Sequence, residues 1–101
     1  MFGIYPKSYQ EILKILEECS SIDEVIIYGS RAKGNYKEGS DIDLTLLGNV
    51  TKEDFNKLWQ RLDDSYIPYK FDLSVYNDLK SENLIDHIDR VGKKFYKRKK
   101  E

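Results

Sequence analysis

At 101 residues, with 35% charged and 40% apolar content, the chain is sized for one domain (1–101) with one core. A single cysteine, Cys19, excludes an intrachain disulfide and a cysteine-built zinc site, and fits a reducing cytoplasm. The net charge of −1 gives no bulk attraction to nucleic acid or membrane, and no apolar run approaches the ~20 residues of a membrane span.

Glu11, Lys14 and Glu17 interrupt the first apolar positions, so the N-terminus does not read as a signal peptide. Tyr9, Ile12, Leu13, Leu16 and Cys19 recur at helical spacing, which predicts an amphipathic helix over about 7–20. Val25 to Tyr28 reads as a short buried strand ended by Gly29. The stretch "GNYKEGS", 34–40, has the composition of a surface loop. Ile42, Leu44 and Leu46 alternate with Asp43 and Thr45, a second strand with one apolar face. Thr51 with Asp54 three residues on resembles an N-terminal helix cap, and Phe55, Leu58, Trp59 and Leu62 supply that helix's expected buried stripe. Phe71, Leu73 and Val75 alternate with Asp72 and Ser74 as a third strand. Leu84, Ile85, Ile88 and Val91 mark a last helix stopped at Gly92, and Phe95 and Tyr96 are able to anchor the basic tail as an edge strand. The expected fold class is α/β (α+β): a small mixed sheet with helices packed on it.

The chemistry concentrates in "VIIYGSRAKGNYKEGSDIDLTLL". Residues two apart on a strand share a face, so Asp41 and Asp43 project together while Ile42 enters the core. Paired carboxylates resist ionisation side by side unless a cation offsets them. Mg²⁺ takes such oxygen ligands together with substrate phosphates. Asp72, on the polar side of its own strand, is expected at the same place. Three carboxylates on neighbouring strands suit two ions roughly 3.5–4 Å apart, as in phosphoryl transfer. Gly29-Ser30 ends the first strand and opens a tight turn whose backbone N–H groups and Ser30 hydroxyl suit the distal phosphates of a nucleotide, with Arg31 or Lys33 adding charge. A P-loop reading of Gly29 to Gly34 fails, because Asn35-Tyr36 stands where Lys-Ser/Thr is needed.

"GS", ten residues, then "DID" resembles the signature of the polymerase-β-like nucleotidyltransferase superfamily, and "GSRAKGNYKEGSDIDL" is especially similar to its minimal (MNT) members. Asp72 in "FDLSV" matches the third carboxylate by strand context. The resemblance implies transfer of AMP from ATP to a hydroxyl with release of pyrophosphate, with Asp41, Asp43 and Asp72 as catalytic metal ligands and Gly29, Ser30 and Arg31 at the nucleotide. It implies a HEPN-domain toxin as partner, a tyrosine of that toxin as acceptor, and an antitoxin role in the cytoplasm. Membrane attachment and direct nucleic-acid binding are not expected. The competing readings are a non-catalytic antitoxin that masks its partner, and a subunit whose dimer builds a small-molecule site. His87 reads as a solvated or partly packed helix residue, Cys19 as a small core hydrophobe, and Trp59 and Phe55 as core. The run from Lys93 to Lys100 reads as a solvated tail, or a contact for an acidic partner or RNA.

Overall fold

The computed structural model describes residues 1–99. In chain order the elements are α1 (Pro6–Glu17), β1 (Ile22–Tyr28), α2 (Ser30–Lys33), β2 (Ile42–Gly48), α3 (Lys52–Asp63), β3 (Phe71–Val75), a 3₁₀ turn (Tyr76–Asp78), α4 (Glu82–Val91) and β4 (Lys93–Lys97). The strands form one mixed sheet in the order β3-β2-β1-β4. β1 pairs antiparallel with both β2 and β4, and β2 pairs parallel with β3.

Alternation along the strands divides the sheet into two faces. Ile42, Leu44 and Leu46 of β2, with Val25 and Ile27 opposite them on β1, are completely buried against Ile12, Ile15 and Leu16 of α1 and Leu58 and Leu62 of α3. The other face carries Tyr28, Asp43, Thr45, Asp72 and Ser74, and α4 covers its β1 side. Tyr28 meets His87 of α4 edge-on, with ring centroids 6.2 Å apart. The two faces therefore separate a dry core from a polar surface.

The cap expected at α3 is complete. Thr51 Oγ1 accepts from the Asp54 N–H (3.1 Å), and Asp54 Oδ2 accepts from the Thr51 N–H (3.5 Å) and from Ser21 Oγ (2.9 Å). Those bonds, the one from Ser21 foremost, hold the Asp54 carboxyl below its ordinary value. Thr51→Ala is expected to cost about 1 kcal/mol, read as a lower urea midpoint at unchanged m-value.

Three expectations about packing change. Trp59 is 43% exposed, not core, because α3 directs Leu58 and Leu62 inward and turns Trp59 toward the sheet edge. There it lines a hollow of about 400 Å³ with Leu62, Ile67, Tyr69 and Phe71. Phe55 packs against the core only in part, as does Cys19, whose Sγ lies 3.3 Å from Ser21 Oγ. Gly92 ends α4 where expected, in extended backbone (φ −63°, ψ 145°) that itself makes no demand for glycine. Its missing side chain matters for another reason: a Cβ there would strike the Ile88 carbonyl and Ile26.

The basic tail is a true edge strand as far as Lys97. Phe95 and Tyr96 are buried, and Phe95 stacks on Tyr9 at 5.0 Å between centroids. Lys93, Lys94 and Lys97 are exposed along that edge, where lysine discourages pairing with another chain. Arg98 donates to the carbonyls of Ile22 and Cys19. Lys100 lies outside the described residues. No helix among the described residues is long and apolar enough to cross a membrane.

Candidate functional site

Strand pairing brings the acidic residues to one end of the sheet. In the parallel β2–β3 ladder Asp43 and Asp72 are direct partners, on strands roughly 4.8 Å apart. One step further along the same face, Ser74 Oγ donates to the fully buried Thr45 Oγ1 at 2.9 Å, which fixes the register from below. Asp41 precedes β2 by one residue and is exposed, as is Asp72, while Asp43 is half-buried. On the antiparallel side Asp43 pairs with Tyr28, the last residue of β1, so Gly29 and Ser30 follow at the same end.

Gly29 is needed twice. Its backbone (φ 77°, ψ −154°) occupies a region that is essentially glycine-only. A Cβ at this position would also collide with Asp43 Oδ2. The carboxylate therefore lies directly on the backbone of the turn. Glycine's openness here admits Asp43. α2 then closes through Lys33 N–H to the Gly29 carbonyl (3.1 Å) and ends at Gly34, which is left-handed (φ 87°) and accommodates the turn into the 34–40 loop.

The electrostatics record this crowding. Partial burial, then the neighbouring Asp72 and Asp41, push the Asp43 carboxyl above its ordinary value, with His87 and Arg31 pulling the other way. Tyr28 is also raised, first by burial, with Asp72 and Asp43 adding to the effect. Asp43, with Asp72 beside it on the neighbouring strand and Asp41 two residues before it, belongs to a donor set suited in kind to a hard divalent cation. Among the described residues no three acidic, histidine or cysteine groups are already gathered at metal-holding spacing. Asp41 and Asp72 are exposed, so rotamer changes that would draw them together meet little packing.

Arg31, expected beside the phosphates, points inward. It is only 3% exposed and commits its guanidinium to the carbonyls of Ser40 and Phe2. Lys33 is exposed on α2. Tyr28, Ser74 and His87 were not among the candidate site residues; the unbroken apolar run from Val25 to Tyr28 assigns Tyr28 to neither face, and only the pairing with Asp43 puts it there. His87 is half-buried against Tyr28, and its field reaches Asp43. No pattern in the sequence links α4 to that end of β1, so His87 carried no signal.

Fold and site together define a small α+β domain with an acidic end to its sheet. The chain belongs to the polymerase beta nucleotidyltransferase family, which matches residues 10–101. No curated relative matches it. Among solved structures, a chain in a toxin–antitoxin complex with AMP-PNP superposes with TM-score 0.71 at 22% identity, covering 89% of this chain and 73% of that one. A chain in the complex of tri-AMPylated Shewanella oneidensis HEPN toxin with an MNT antitoxin gives 0.65 at 20% identity, covering 91% and 71%. A Sulfolobus solfataricus protein assigned as a nucleotidyltransferase gives 0.51 at 25% identity, covering 91% and 86%. At these identities the toxin–antitoxin likenesses establish a shared fold.

Proposed function

We propose that the protein is a Mg²⁺-dependent nucleotidyltransferase that moves AMP from ATP to a hydroxyl of a protein partner, acting in the cytoplasm as the antitoxin of a HEPN toxin whose tyrosine is the acceptor. One observation carries the reading: Asp43 is the register partner of Asp72 and lies on the backbone of the Gly29-Ser30 turn. Its electrostatic coupling to Asp41 completes the acidic set. The AMP-PNP and AMPylated-toxin complexes of like fold support the choice of nucleotide and partner.

In this reading Asp41, Asp43 and Asp72 hold magnesium, which when bound supplies positive charge to the phosphates and to the leaving pyrophosphate. The Ser30 hydroxyl and the N–H groups of its turn hold the β- and γ-phosphates, leaving the α-phosphorus over the carboxylates. Asp72, exposed at the outer strand, takes the proton of the incoming hydroxyl. The acceptor oxygen bonds to the α-phosphorus, the bond from that phosphorus to the bridging oxygen breaks, and pyrophosphate departs.

The test uses ATP labelled at the α- or the γ-phosphate, Mg²⁺ and the HEPN-domain protein proposed here as the partner. Label from the α-position is expected on a toxin tyrosine, with none from the γ-position. Transfer from the γ-position alone would reject the reading. A second reading, neutralisation by masking, draws on the exposed Trp59 and Tyr66 beside the open edge of β3. It would be favoured by tight binding of the toxin without transfer of label.

A further inference from the structure

Arg31 is a buried cation without an acidic partner: none of the salt bridges among the described residues includes it. Burying a guanidinium is costly unless its donors are used. Here Nε (3.2 Å) and Nη2 (2.8 Å) both donate to the Ser40 carbonyl, and Nη1 donates to the Phe2 carbonyl at 3.0 Å. The guanidinium carbon also lies over two rings, 5.2 Å from the centroid of Tyr36 and 5.0 Å from that of Tyr69. Cation–aromatic contact of this kind replaces part of the lost hydration.

The partners are what give the contact meaning. Ser40 immediately precedes Asp41, and on the other side the Ile42 N–H donates to the Lys70 carbonyl at 2.9 Å. Asp41 is thus suspended between two backbone anchors, one gripped by Arg31 and one next to the Tyr69 that stacks on Arg31. Arg31 itself follows Ser30. The N-terminal segment closes the arrangement: Phe2 has a positive φ of 58°, and Gly3 has no side chain where the Tyr36 ring packs. A non-glycine residue in that conformation persists only when its surroundings hold it.

We propose that Arg31 is a positioning residue that sets the distance and direction of Asp41 relative to the Ser30 turn, coupling the phosphate end of the site to its acidic end. This rests on the transfer reading above. Arginine suits the task because its planar fork delivers two N–H groups to one carbonyl and a third to another, which an ammonium group cannot reproduce. Charge is not the essential part: a cation at this point opposes a second cation on the carboxylates. The geometry is essential.

Arg31→Lys keeps the charge and removes the fork. Thermal unfolding, Mn²⁺ affinity of the protein alone by electron paramagnetic resonance, and kcat and KM for α-labelled ATP with the toxin are measured beside wild type. Expected are a kcat lower by about 10- to 100-fold, a nucleotide KM within a few fold, and weaker Mn²⁺ binding. Arg31→Met, if it folds, is expected to weaken Mn²⁺ binding as well, although loss of a cation acting by charge alone would strengthen it. Wild-type kcat and Mn²⁺ affinity in Arg31→Lys would overturn the proposal. So would a kcat loss that follows melting temperature and is restored by trimethylamine N-oxide. If wild type transfers no label, the transfer reading fails, and Mn²⁺ affinity in wild type against Arg31→Lys still decides the positioning role. A wild-type protein that binds no Mn²⁺ ends both.

Discussion

Asp43→Asn is expected to abolish transfer and to raise thermal stability at neutral pH. The loss follows from removing the carboxylate that touches the Ser30 turn and pairs with Asp72. Metal-assisted charge neutralisation is worth several kcal/mol, and about 1.4 kcal/mol is tenfold, so the rate should fall on the order of 10³-fold or more. The gain follows from the raised Asp43 carboxyl. A group whose folded pKa lies above its unfolded value contributes stability that is fully present below the unfolded value and is lost as pH rises through the folded one. The native protein is therefore strained by the ionised Asp43 at neutral pH, and the amide is not. Melting curves of the two proteins in chelator should converge at acid pH, where Asp43 is protonated, and separate in favour of Asp43→Asn as pH rises through the carboxylate range. A variant less stable than wild type at neutral pH would contradict the electrostatic account. Full activity in that variant would remove the basis for the site.

Gly29→Ala carries the second large effect. The glycine-only backbone at this turn makes any side chain cost about 1–3 kcal/mol. The new methyl would in addition push Asp43 off the turn. Lower stability and loss of transfer are expected together. Asp43→Ala relieves the collision and leaves the backbone strain. In the double-mutant cycle of Gly29→Ala with Asp43→Ala, the stability losses should therefore fall short of additive by about 0.5–3 kcal/mol, the range for residues in contact. Additive losses would mean that the carboxylate does not rest on the turn. Urea denaturation of the four proteins supplies the measurement.

The sequence by itself determined the local features. Period-two alternation put Asp43 on the face opposite Ile42 and Leu44, and Asp72 on the face opposite Phe71 and Leu73. The Thr51 and Asp54 pair marked the start of α3, and the spacing of Ser30 from Asp41 and Asp43 marked the candidate site. These follow from backbone geometry over a few residues, which the chain carries wherever it is placed. Tertiary structure decided the rest. Only the parallel pairing of β3 with β2 sets Asp72 beside Asp43. Only the meeting of Phe2, Ser40, Tyr36 and Tyr69 draws Arg31 inward, away from the nucleotide role its position suggested. Trp59 moved the opposite way: α3 lies near the open edge of the sheet, and among the described residues no strand beyond β3 covers that ring. Burial of a side chain depends on partners from distant parts of the chain, and periodicity within one element does not encode which partners arrive.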